Sequence, residues 1–424
     1  MQAGKNVVIV DSYGPTLRLA DRFRAAGATL IRVQSTEEVP RVYQSSAPRD
    51  GYLENIVHSG DLAETARRVA RHAPVAVVAG GEIGVELTDA LNAELGLPGN
   101  GVELSAARRD KYVMIETIRR AGVPAARQIL VDDEAQLTEW HRSIGGRVVL
   151  KPVRSAAGDH VMFCDTPEES VVAFGKICGA TNVFSQHNSG VVAQEYLCGT
   201  EYMVNTVSRD GRHRVCEIWR TDRVRANGVP DIAAAATVLP RRGEAQDVLA
   251  DYAGQVLDAL GIRHGPAHVE IKLTNAGPRL VEVGARIAGG DMPSYAQMAL
   301  GESQLDWTAH AYLEPRRFHE RAGQEYRRTR CVGNVALISP VDGILRRYRD
   351  LDSLRSLDSF HELQLHVRPG ERIERTVDDV TYPAALVLVH DTEEVVLRDT
   401  NTIRYLDGVG FYELEDEGVS DEPR

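Results

Sequence analysis

The stretch HVEIKLTNAGPRLVEVGARIAGG, residues 268–290, decides the fold because it is typical of two short β-strands joined by a turn. The runs VEIKLT and RLVEV are rich in strand-forming residues, and the Asn-Ala-Gly between them fits a three-residue hairpin loop with glycine in the left-handed conformation. Symmetric pairing about Ala276 then places Glu270 directly opposite Glu282.

The alternation of side chains along a strand predicts the two faces of this hairpin. One face carries His268, Glu270, Lys272, Leu280, Glu282, Gly284 and Arg286. The other face carries Val269, Ile271, Leu273, Val281 and Val283, and we expect it to pack in the core.

Two carboxylates directly opposite each other destabilise a hairpin. One interpretation is an exposed hairpin whose glutamates point into water. The other is a divalent cation between Glu270 and Glu282, for which oxygen ligands favour Mg²⁺ or Mn²⁺. A magnesium ion with so few protein ligands fills its shell with water and substrate phosphates, so this pattern predicts a phosphoryl-transfer site.

The composition is that of a globular chain large enough for two or three domains. It has 424 residues, 43% of them apolar and 26% charged. A net charge of −12 argues against nucleic acid as a partner. No apolar run approaches the ~20 residues that span a bilayer, so we expect no membrane partner.

Cysteine and lysine usage add two expectations. Five scattered cysteines without a CxxC pair, and no basic-then-apolar leader, favour the reducing cytoplasm. Only five of the 49 basic residues are lysines, at positions 5, 111, 151, 176 and 272. A lysine kept against that bias is expected to be needed as a compact ammonium.

Residues 5–100 alternate strand and helix patterns, which predicts a parallel sheet covered by helices. The strands are NVVIVDS, TLIRVQS and VAVVAG, and the helices are PTLRLADRFRAAG and DLAETARRVARH. The segment VDSYGPT lacks the G-x-G-x-x-G of dinucleotide-binding folds, so we reject NAD binding.

Beyond residue 105 the pattern becomes that of antiparallel strands. A helix is predicted over SAARRDKYVMIETIRRAG with Ser105 as N-cap, and another over GEAQDVLADYAGQVLDALG. Asp210-Gly211 predicts a hairpin turn. Residues 221–240 are expected to form a mobile loop, a candidate lid with Arg220, Arg223 and Arg225 at its entry. The remaining expectations are strands in CVGNVALIS, ELQLHV and AALVLVHD, and a solvated or disordered acidic tail in YELEDEGVSDEPR.

Several motifs occur in a characteristic order: Lys111, VLKP ending in Lys151 and Pro152, QEYLCGTEYMVN, and HVEI…LVEVGARIAGG. Together they resemble the ATP-grasp carboxylate–amine ligases over residues 1–315. The later strands resemble those of the bacilysin-synthetase-like, dipeptide-forming L-amino acid ligases.

The resemblance implies an ATP-grasp fold in four parts. These are an N-terminal parallel-sheet α/β domain (1–104), a linker helix with the first ATP-grasp lobe (105–190), a second lobe with the metal and catalytic residues (191–315), and a C-terminal β-rich domain with the acidic tail (316–424). ATP would lie between the two antiparallel-sheet lobes.

The resemblance also implies roles for individual residues. Lys111 and Lys151 would contact the nucleotide, Glu195, Tyr196 and Leu197 would form the adenine hinge, and Glu201 would accept the ribose hydroxyls. Glu270 and Glu282 would bind the metal, as two Mg²⁺ or Mn²⁺ ions. Arg286 would steady the transferred phosphate or the oxyanion, and His268 would either touch phosphate or substrate or serve a structural purpose.

Two positions depart from the family pattern. The family often has an asparagine two residues after the second metal-binding acid, and here that residue is Gly284. The phosphate-covering loop VRSAAGDHV is poor in glycine and offers only Gly158, although Ser155, Ala156 and Ala157 are small enough for backbone amides to approach phosphate. Because Gly284 has no side-chain ligand, metal ligation is expected to depend on the two glutamates and water.

The expected reaction is ATP-dependent amide formation through an acyl phosphate, with ADP and phosphate released. The partners would be a small-molecule carboxylate donor and an amine acceptor, and a homodimer is consistent with the resemblance. One alternative is a ligase of primary metabolism of the purine-pathway or carboxylase type. Another is a catalytically dead nucleotide-binding regulator, but such a protein would be expected to lose the metal-binding acids or the arginine, and both are present.

Overall fold

The structure is a computed structural model that describes residues 4–46 and 50–415. Contacts divide the chain into two compact units. The first comprises Met1–Arg220 and Leu239–Arg328, and the second comprises Thr221–Val238 and Thr329–Arg424. Within the described residues, no helix is long and apolar enough to cross a membrane.

The first unit opens with the expected parallel sheet. Its strands are β1 (Asn6–Val10), β2 (Thr29–Gln34), β3 (Asn55–Val57) and β4 (Ala76–Ala79), in the order β3-β2-β1-β4. Its helices are α1 (Leu17–Ala25), α2 (Leu62–Ala70) and α3 (Val85–Glu94). Alternate residues of β1 pack into different core clusters, Val7 and Ile9 into one and Val8 and Val10 into another, so both faces of the sheet are covered.

A four-stranded antiparallel sheet forms the next part of the unit. The elements are α4 (Lys111–Arg120), β5 (Gln128–Leu130), α5 (Glu134–Ile144), β6 (Val148–Pro152), β7 (Met162–Cys164), α6 (Pro167–Ile177) and β8 (Val191–Glu195). The strand order is β5-β8-β6-β7. The core cluster of this part includes Leu150 of β6 and Ala193 of β8.

The predicted N-cap of the helix after residue 105 is wrong. Ser105 precedes a short 3₁₀ turn, Ala106–Arg108, and its hydroxyl donates to Asp89 at 2.6 Å. Asp110 is the N-cap of α4, because its carboxylate accepts the amides of Tyr112 and Val113. The hydroxyl of Ser105 is bound to the buried Asp89 carboxylate and is not used as a cap. Asp110 caps the helix instead.

A second antiparallel sheet completes the first unit. The strands are β9 (Gly199–Arg209), β10 (Arg212–Ala226), β11 (Val229–Val238), β12 (Gly265–Thr274) and β13 (Gly277–Gly284). Strand β11 and the residues of β10 after Arg220 belong to the second unit. The helices are α7 (Glu244–Ala259), α8 (Met292–Leu300), α9 (Gln304–Leu313) and α10 (Pro315–Arg321). In the first unit the strand order is β13-β12-β9-β10. The Asp210-Gly211 turn is confirmed, with φ of 54° and 77°.

The expectation of a mobile loop at residues 221–240 is wrong. Strand β10 continues to Ala226, and β11 begins at Val229. Asn227 and Gly228, with φ of 51° and 81°, form the tight turn between them. Asn-Gly is a strong hairpin signal, so this segment is part of a β-sheet and is no candidate lid.

The register of the glutamate hairpin is confirmed, but its loop is shorter than expected. Glu270 is paired with Glu282, whereas Thr274 pairs with Gly277, which leaves a two-residue loop. The missing residue reappears as a β-bulge, because Ile271 pairs with Leu280 and Val281 is extra. Leu280 is therefore fully buried in the core, and its assignment to the polar face is wrong. Val281, which was assigned to the core face, is half-buried.

The second unit contains the strands expected near the C-terminus. Its further elements are β14 (Cys331–Ala336), β15 (Gly343–Tyr348), α11 (Leu351–Arg355), β16 (Phe360–Leu365), β17 (Arg372–Ile373), β18 (Ala384–His390), α12 (Glu393–Leu406) and β19 (Tyr412–Leu414). One sheet has the order β11-β14-β18-β16 and the other β17-β15-β19.

The start of the acidic tail is structured, contrary to expectation. Residues 412–414 form β19, which pairs with β15, and Tyr412 is only 4% exposed. Burial of Tyr412 holds this part of the chain in place. The many acidic residues around it in the sequence led to the prediction of a solvated tail. The rest of the predicted tail, residues 416–424, lies outside the described residues.

Candidate active site

The paired glutamates lie on two neighbouring strands of the first unit. Glu270 is on β12 and Glu282 is on β13, and neither side chain is fully buried. The ammonium of Lys111 lies 3.0 Å from Glu282 Oε2. A lysine therefore supplies positive charge beside one of the two opposed carboxylates.

Lys111 is held by local structure at both ends. It is the first residue of α4, directly after the N-cap Asp110, and its ammonium donates to the carbonyl oxygen of Ser155 at 2.7 Å. Ser155 belongs to the loop between β6 and β7. Lys111 thus connects the glutamate hairpin to the loop expected to cover phosphates.

Lys151 on β6 belongs to the same electrostatic cluster. Burial, and then the neighbouring Lys111, lower the pKa of Lys151 to about 8, against the raising effect of Glu282, Glu270 and Glu201. The side chain is 5% exposed. A buried ammonium in this setting gains from an incoming anion such as a phosphate.

Arg286 follows β13 and is paired with an acid that the sequence analysis missed. Its Nε lies 2.9 Å from Glu82 Oε2, and Arg109 donates to the other oxygen of Glu82 at 2.7 Å. Burial alone would lower the pKa of Arg286, but Glu82 and then Glu282 outweigh it and raise that pKa. Arg286 therefore stays charged close to the predicted metal-binding acids.

Glu82 lies where substrates of parallel-sheet domains commonly bind. It follows β4, next to β1, and the chain order reverses between these two strands. Burial would raise the pKa of Glu82, but Arg286 and Arg109 hold it below its usual range. The signal was present in the sequence as GGE directly after a buried parallel strand.

A hydrogen-bonded chain runs from the interior of the sheet to Glu270. Glu217 Oε1 accepts from Asn205 Nδ2 at 2.9 Å, and Asn205 Oδ1 lies 2.7 Å from Nδ1 of His268. His268 Nε2 lies 3.1 Å from Glu270 Oε1. His268 is thus directed at a proposed metal ligand, and neither Asn205 nor Glu217 was identified from the sequence.

The predicted adenine hinge follows the end of β8. Glu195 is held by Arg127, whose backbone amide donates to Oε1 at 2.9 Å and whose Nε donates to Oε2 at 2.7 Å. Its carboxylate is therefore already engaged. The backbone amides of Glu195 and Tyr196 are engaged as well, because they donate to the carbonyl oxygens of Arg127 and Arg147 at 3.0 and 3.1 Å. The ring of Tyr196 packs edge-on against Phe163, and Leu197 is half-buried.

Glu201 lies on β9, and its neighbour across the sheet is a lysine to which the sequence analysis gave no role. Lys272 is its direct partner on β12, and its ammonium lies 3.9 Å from Glu201 Oε2 and 5.2 Å from the centre of the Tyr196 ring. Both charged residues are buried. Lys272 therefore links the predicted ribose acceptor to the predicted hinge.

The loop between β6 and β7 contains three residues in the left-handed backbone region. Ala157, Gly158 and His160 have φ of 57°, 72° and 56°. The Asp159 carboxylate accepts the hydroxyl of Ser155 at 2.6 Å. Small residues with left-handed backbone allow amides to turn toward a phosphate, although only one of them is glycine.

These residues form one charged centre with a carboxylate-rich side and a cationic side. Lys111, Lys151, Glu201, Glu270, Glu282, His268 and Arg286 are brought together, whereas Glu195 is engaged with Arg127. The adjacent carboxylates suit a hard divalent cation, and the buried lysines suit phosphates. The donor set therefore fits Mg²⁺ together with a nucleoside triphosphate.

Comparisons with known proteins agree with this chemistry. The ATP-grasp domain family matches residues 144–294. Dapdiamide A synthase of Enterobacter agglomerans is 31% identical over 427 residues, which cover 98% of each chain.

Two solved structures share the fold. The L-amino acid ligase from Bacillus licheniformis superposes with a TM-score of 0.76 at 17% identity, over 98% of this chain and 100% of the other. The biotin carboxylase domain of the Hydrogenobacter thermophilus 2-oxoglutarate carboxylase, in complex with MgADP, has a TM-score of 0.63 at 15% identity, over 98% and 91%. Given the near full-length relative and the site described above, the chain belongs to the ATP-grasp ligases that form carbon–nitrogen bonds.

Proposed function

We propose that this ligase joins the carboxyl group of an amino acid or small acid to the amine of an amino acid, as a standalone natural-product amide ligase. The carboxylate attacks the γ-phosphate of ATP and forms an acyl phosphate and ADP. The amine then attacks the acyl carbon, and phosphate leaves as the amide forms. The relative named as a dapdiamide A synthase supports a natural-product substrate.

We assign nucleotide binding to residues on both sides of the charged centre. Lys151, Lys111 and the loop around Ser155 and Gly158 would hold the phosphates. The backbone of Glu195, Tyr196 and Leu197 would hold adenine, with Glu201 at the ribose. The burial of Lys151, together with its lowered pKa, supports this assignment, since a phosphate would restore the favourable charge that burial removes.

Metal binding is assigned to Glu270 and Glu282, and the number of Mg²⁺ or Mn²⁺ ions is proposed to be two. A bound cation would neutralise phosphate charge during transfer. Lys111, already 3.0 Å from Glu282, would move its ammonium toward the phosphates when the cation binds. Positioning and charge neutralisation by these side chains supply the catalysis, because phosphoryl transfer needs little covalent assistance.

Arg286 is assigned to the charge that develops on the reacting carboxyl and phosphoryl groups. It reaches past the glutamates toward Glu82, at the carboxyl end of the parallel sheet. The observation that carries the proposal is this placement, with a fixed guanidinium beside two opposed carboxylates. A catalytically dead regulator would have no need to retain that charge pattern.

The proposal is tested by phosphate release across a matrix of amino-acid pairs, with products identified by mass. We expect a restricted set of pairs to give ADP, phosphate and an amide in equal amounts. Turnover only with a purine-pathway intermediate or bicarbonate would favour the ligases of primary metabolism. ATP binding without turnover on any substrate would favour a regulatory protein.

The proposal extends to the assembly, the location and the domain limits of the chain. We propose a homodimer acting in the reducing cytoplasm, with domains at 1–104, 105–190, 191–315 and 316–424. All five cysteines, which lie in the described part of the chain, are free. Light scattering of the purified chain measures the assembly, and limited proteolysis measures the domain limits.

A further inference from the structure

His268 is on β12, which pairs with β9 on one side and with β13 on the other. Its partner on β9 is Asn205, which is fully buried, and its partner on β13 is Gly284. Asn205 donates its amide nitrogen to Glu217, so its oxygen faces His268. An amide oxygen only accepts hydrogen bonds, and Nδ1 of His268 therefore carries the proton. Nε2, on the far side of the ring, is then the nitrogen that faces Glu270.

The distance between Nε2 of His268 and Oε1 of Glu270 is 3.1 Å. Two neighbouring donors of an octahedral cation, each about 2.1 Å from the ion and 90° apart, are separated by about 3 Å. A metal-bound histidine also commonly donates its other ring N–H to an oxygen acceptor. The pair has the spacing of two ligands of one cation, and Asn205 is in the position of the outer acceptor.

Strand β13 supplies no side-chain ligand opposite His268, because the residue there is Gly284. A Cβ atom at Gly284 would lie 2.9 Å from Cζ of Arg286 and 3.1 Å from Oε2 of Glu82. A larger side chain at this position would therefore have to displace the ends of the Arg286 and Glu82 side chains. His268 on β12 is the residue that faces this position across the hairpin.

Glu282 would have to leave its ion pair with Lys111 in order to bind a cation. Among the described residues, no three His, Cys, Asp or Glu side chains are already arranged around one point as a metal site. Glu282 is held instead by the ammonium of Lys111 at 3.0 Å. A divalent cation at His268 and Glu270 would compete with that ammonium and draw Glu282 into its coordination shell.

We propose that Nε2 of His268 is a ligand of the divalent cation bound by Glu270, with Asn205 and Glu217 as the residues that fix the ring. This inference rests on the proposed function, because it concerns the metal of that site. An imidazole nitrogen ligand shifts the preference of the site away from Mg²⁺ and toward transition-metal ions. His268 thus takes the position of a third protein ligand that Gly284 leaves open.

The test is pulsed EPR of Mn²⁺ bound to the full chain in the presence of ADP. Protein made with natural histidine is compared with protein made with [15N]histidine. We expect the electron spin echo to show modulation from directly bound 14N, and this modulation is replaced by that of 15N in the labelled protein. Nitrogen from adenine is unaffected by the labelling, and the measurement requires no substitution that could unfold the chain.

Variants separate the ligand from its supporting residues. His268→Gln should abolish the modulation, and Asn205→Ala should weaken Mn²⁺ binding by about 10–100-fold, the usual effect of losing an outer partner. His264→Gln is the matched control, because His264 is also buried but lies outside the site, and it should retain the modulation.

Two outcomes would overturn the inference in different ways. If Mn²⁺ binds, and Glu282→Gln weakens it, but isotope labelling changes nothing, His268 is not a ligand and the proposed function survives. If the wild-type chain with ADP binds no Mn²⁺, the metal assignment of the proposed function fails together with this inference.

Discussion

Arg286 and Glu82 are linked at the level of single residues, and this affects what a substitution of Arg286 can do. Glu82 keeps Arg109 as a second partner at 2.7 Å, so removal of Arg286 leaves the buried acid with one arginine. The chain should therefore fold without Arg286. The loss should fall on the reaction, because a fixed guanidinium acts most strongly where charge develops in the transition state.

We expect Arg286→Ala to lower kcat and kcat/KM together by ~10²–10³, roughly 3–4 kcal/mol. ATP affinity should change little. Arg286→Lys should be similarly impaired, because a point charge does not replace a planar fork. Steady-state kinetics and calorimetric ATP titration measure the two effects. If ATP affinity falls in proportion to the rate, Arg286 binds the nucleotide and its assigned role is wrong.

Lys151 should make ATP binding depend on pH. Its pKa of about 8 in the absence of ligand means that the ammonium loses its proton above that pH. Affinity in the wild type should therefore fall as pH rises above 8, by at most about tenfold per pH unit for one proton. Lys151→Ala should bind ATP more weakly at pH 7 and lose this dependence. Calorimetric titration from pH 7 to 9.5 checks both, and unchanged affinity in the variant would exclude Lys151 from the nucleotide site.

Glu217 should make the folded state less stable as pH rises. Burial raises its pKa to about 8 from an ordinary 4.5, so the folded chain binds a proton that the unfolded chain releases between these values. Its contribution is greatest below pH 4.5 and is lost as pH rises toward 8. Glu217→Gln should remove this decrease in stability with rising pH, because glutamine does not ionise. The variant should be more stable than wild type near pH 8 by on the order of a few kcal/mol, since one pKa unit corresponds to about 1.4 kcal/mol. Denaturant unfolding at pH 5 and pH 8 measures the difference, and an equal gap at both would contradict it.

Helix α4 shows how a secondary-structure element positions a functional side chain. Asp110 caps the helix by accepting two backbone amides at 3.0 Å, and Lys111 is the next residue. The cap therefore fixes the start of the helix and the origin of the lysine side chain. In α5 the same type of cap, Asp133, lies beside no predicted site residue and offers a matched comparison.

Asp110→Ala should lower the free energy of unfolding by about 1 kcal/mol and also weaken ATP binding. Asp133→Ala should cause a similar loss of stability and leave ATP affinity unchanged. Chemical denaturation and ATP titration of the two variants test this. Equal ATP affinities in both would show that the position of Lys111 does not depend on its cap.

At the scale of the whole molecule, every residue assigned to nucleotide or metal lies in the first unit. Ligand binding stabilises only states that can bind, by about 2.7 kcal/mol at a ligand concentration 100 times Kd. A non-hydrolysable ATP analogue with Mg²⁺ should therefore raise Tm. It should also slow amide exchange in β6, β12 and β13.

Strands β14 and β18 of the second unit should show little change in exchange. Hydrogen–deuterium exchange with mass spectrometry resolves these segments. Exchange of β12 in the wild type with Mg²⁺ but without nucleotide is the control for metal alone. Protection confined to β14 and β18 would place the nucleotide outside the assigned site.

The features that depend on near neighbours in the chain could be predicted from the amino-acid sequence. The apolar periodicity predicted the parallel sheet, the Asp210-Gly211 signal predicted its hairpin, and the symmetry of residues 268–290 predicted the Glu270–Glu282 register. The Asn227-Gly228 turn carried a similar signal, which the interpretation as a loop overlooked. These features follow from local turn chemistry and side-chain alternation, so they can be derived from a short segment.

Which side chains meet across the fold could be seen only in the folded chain. The Glu82–Arg286 pair joins residues 204 positions apart, and the position of Leu280 in the core imposed a bulge that alternation did not predict. The same holds for Asn205 and Glu217, whose polar side chains gave no sign that they would be buried behind His268. A buried polar group needs a hydrogen-bond partner. Strand pairing and packing determine which residue that partner is, and a local sequence pattern does not contain this information.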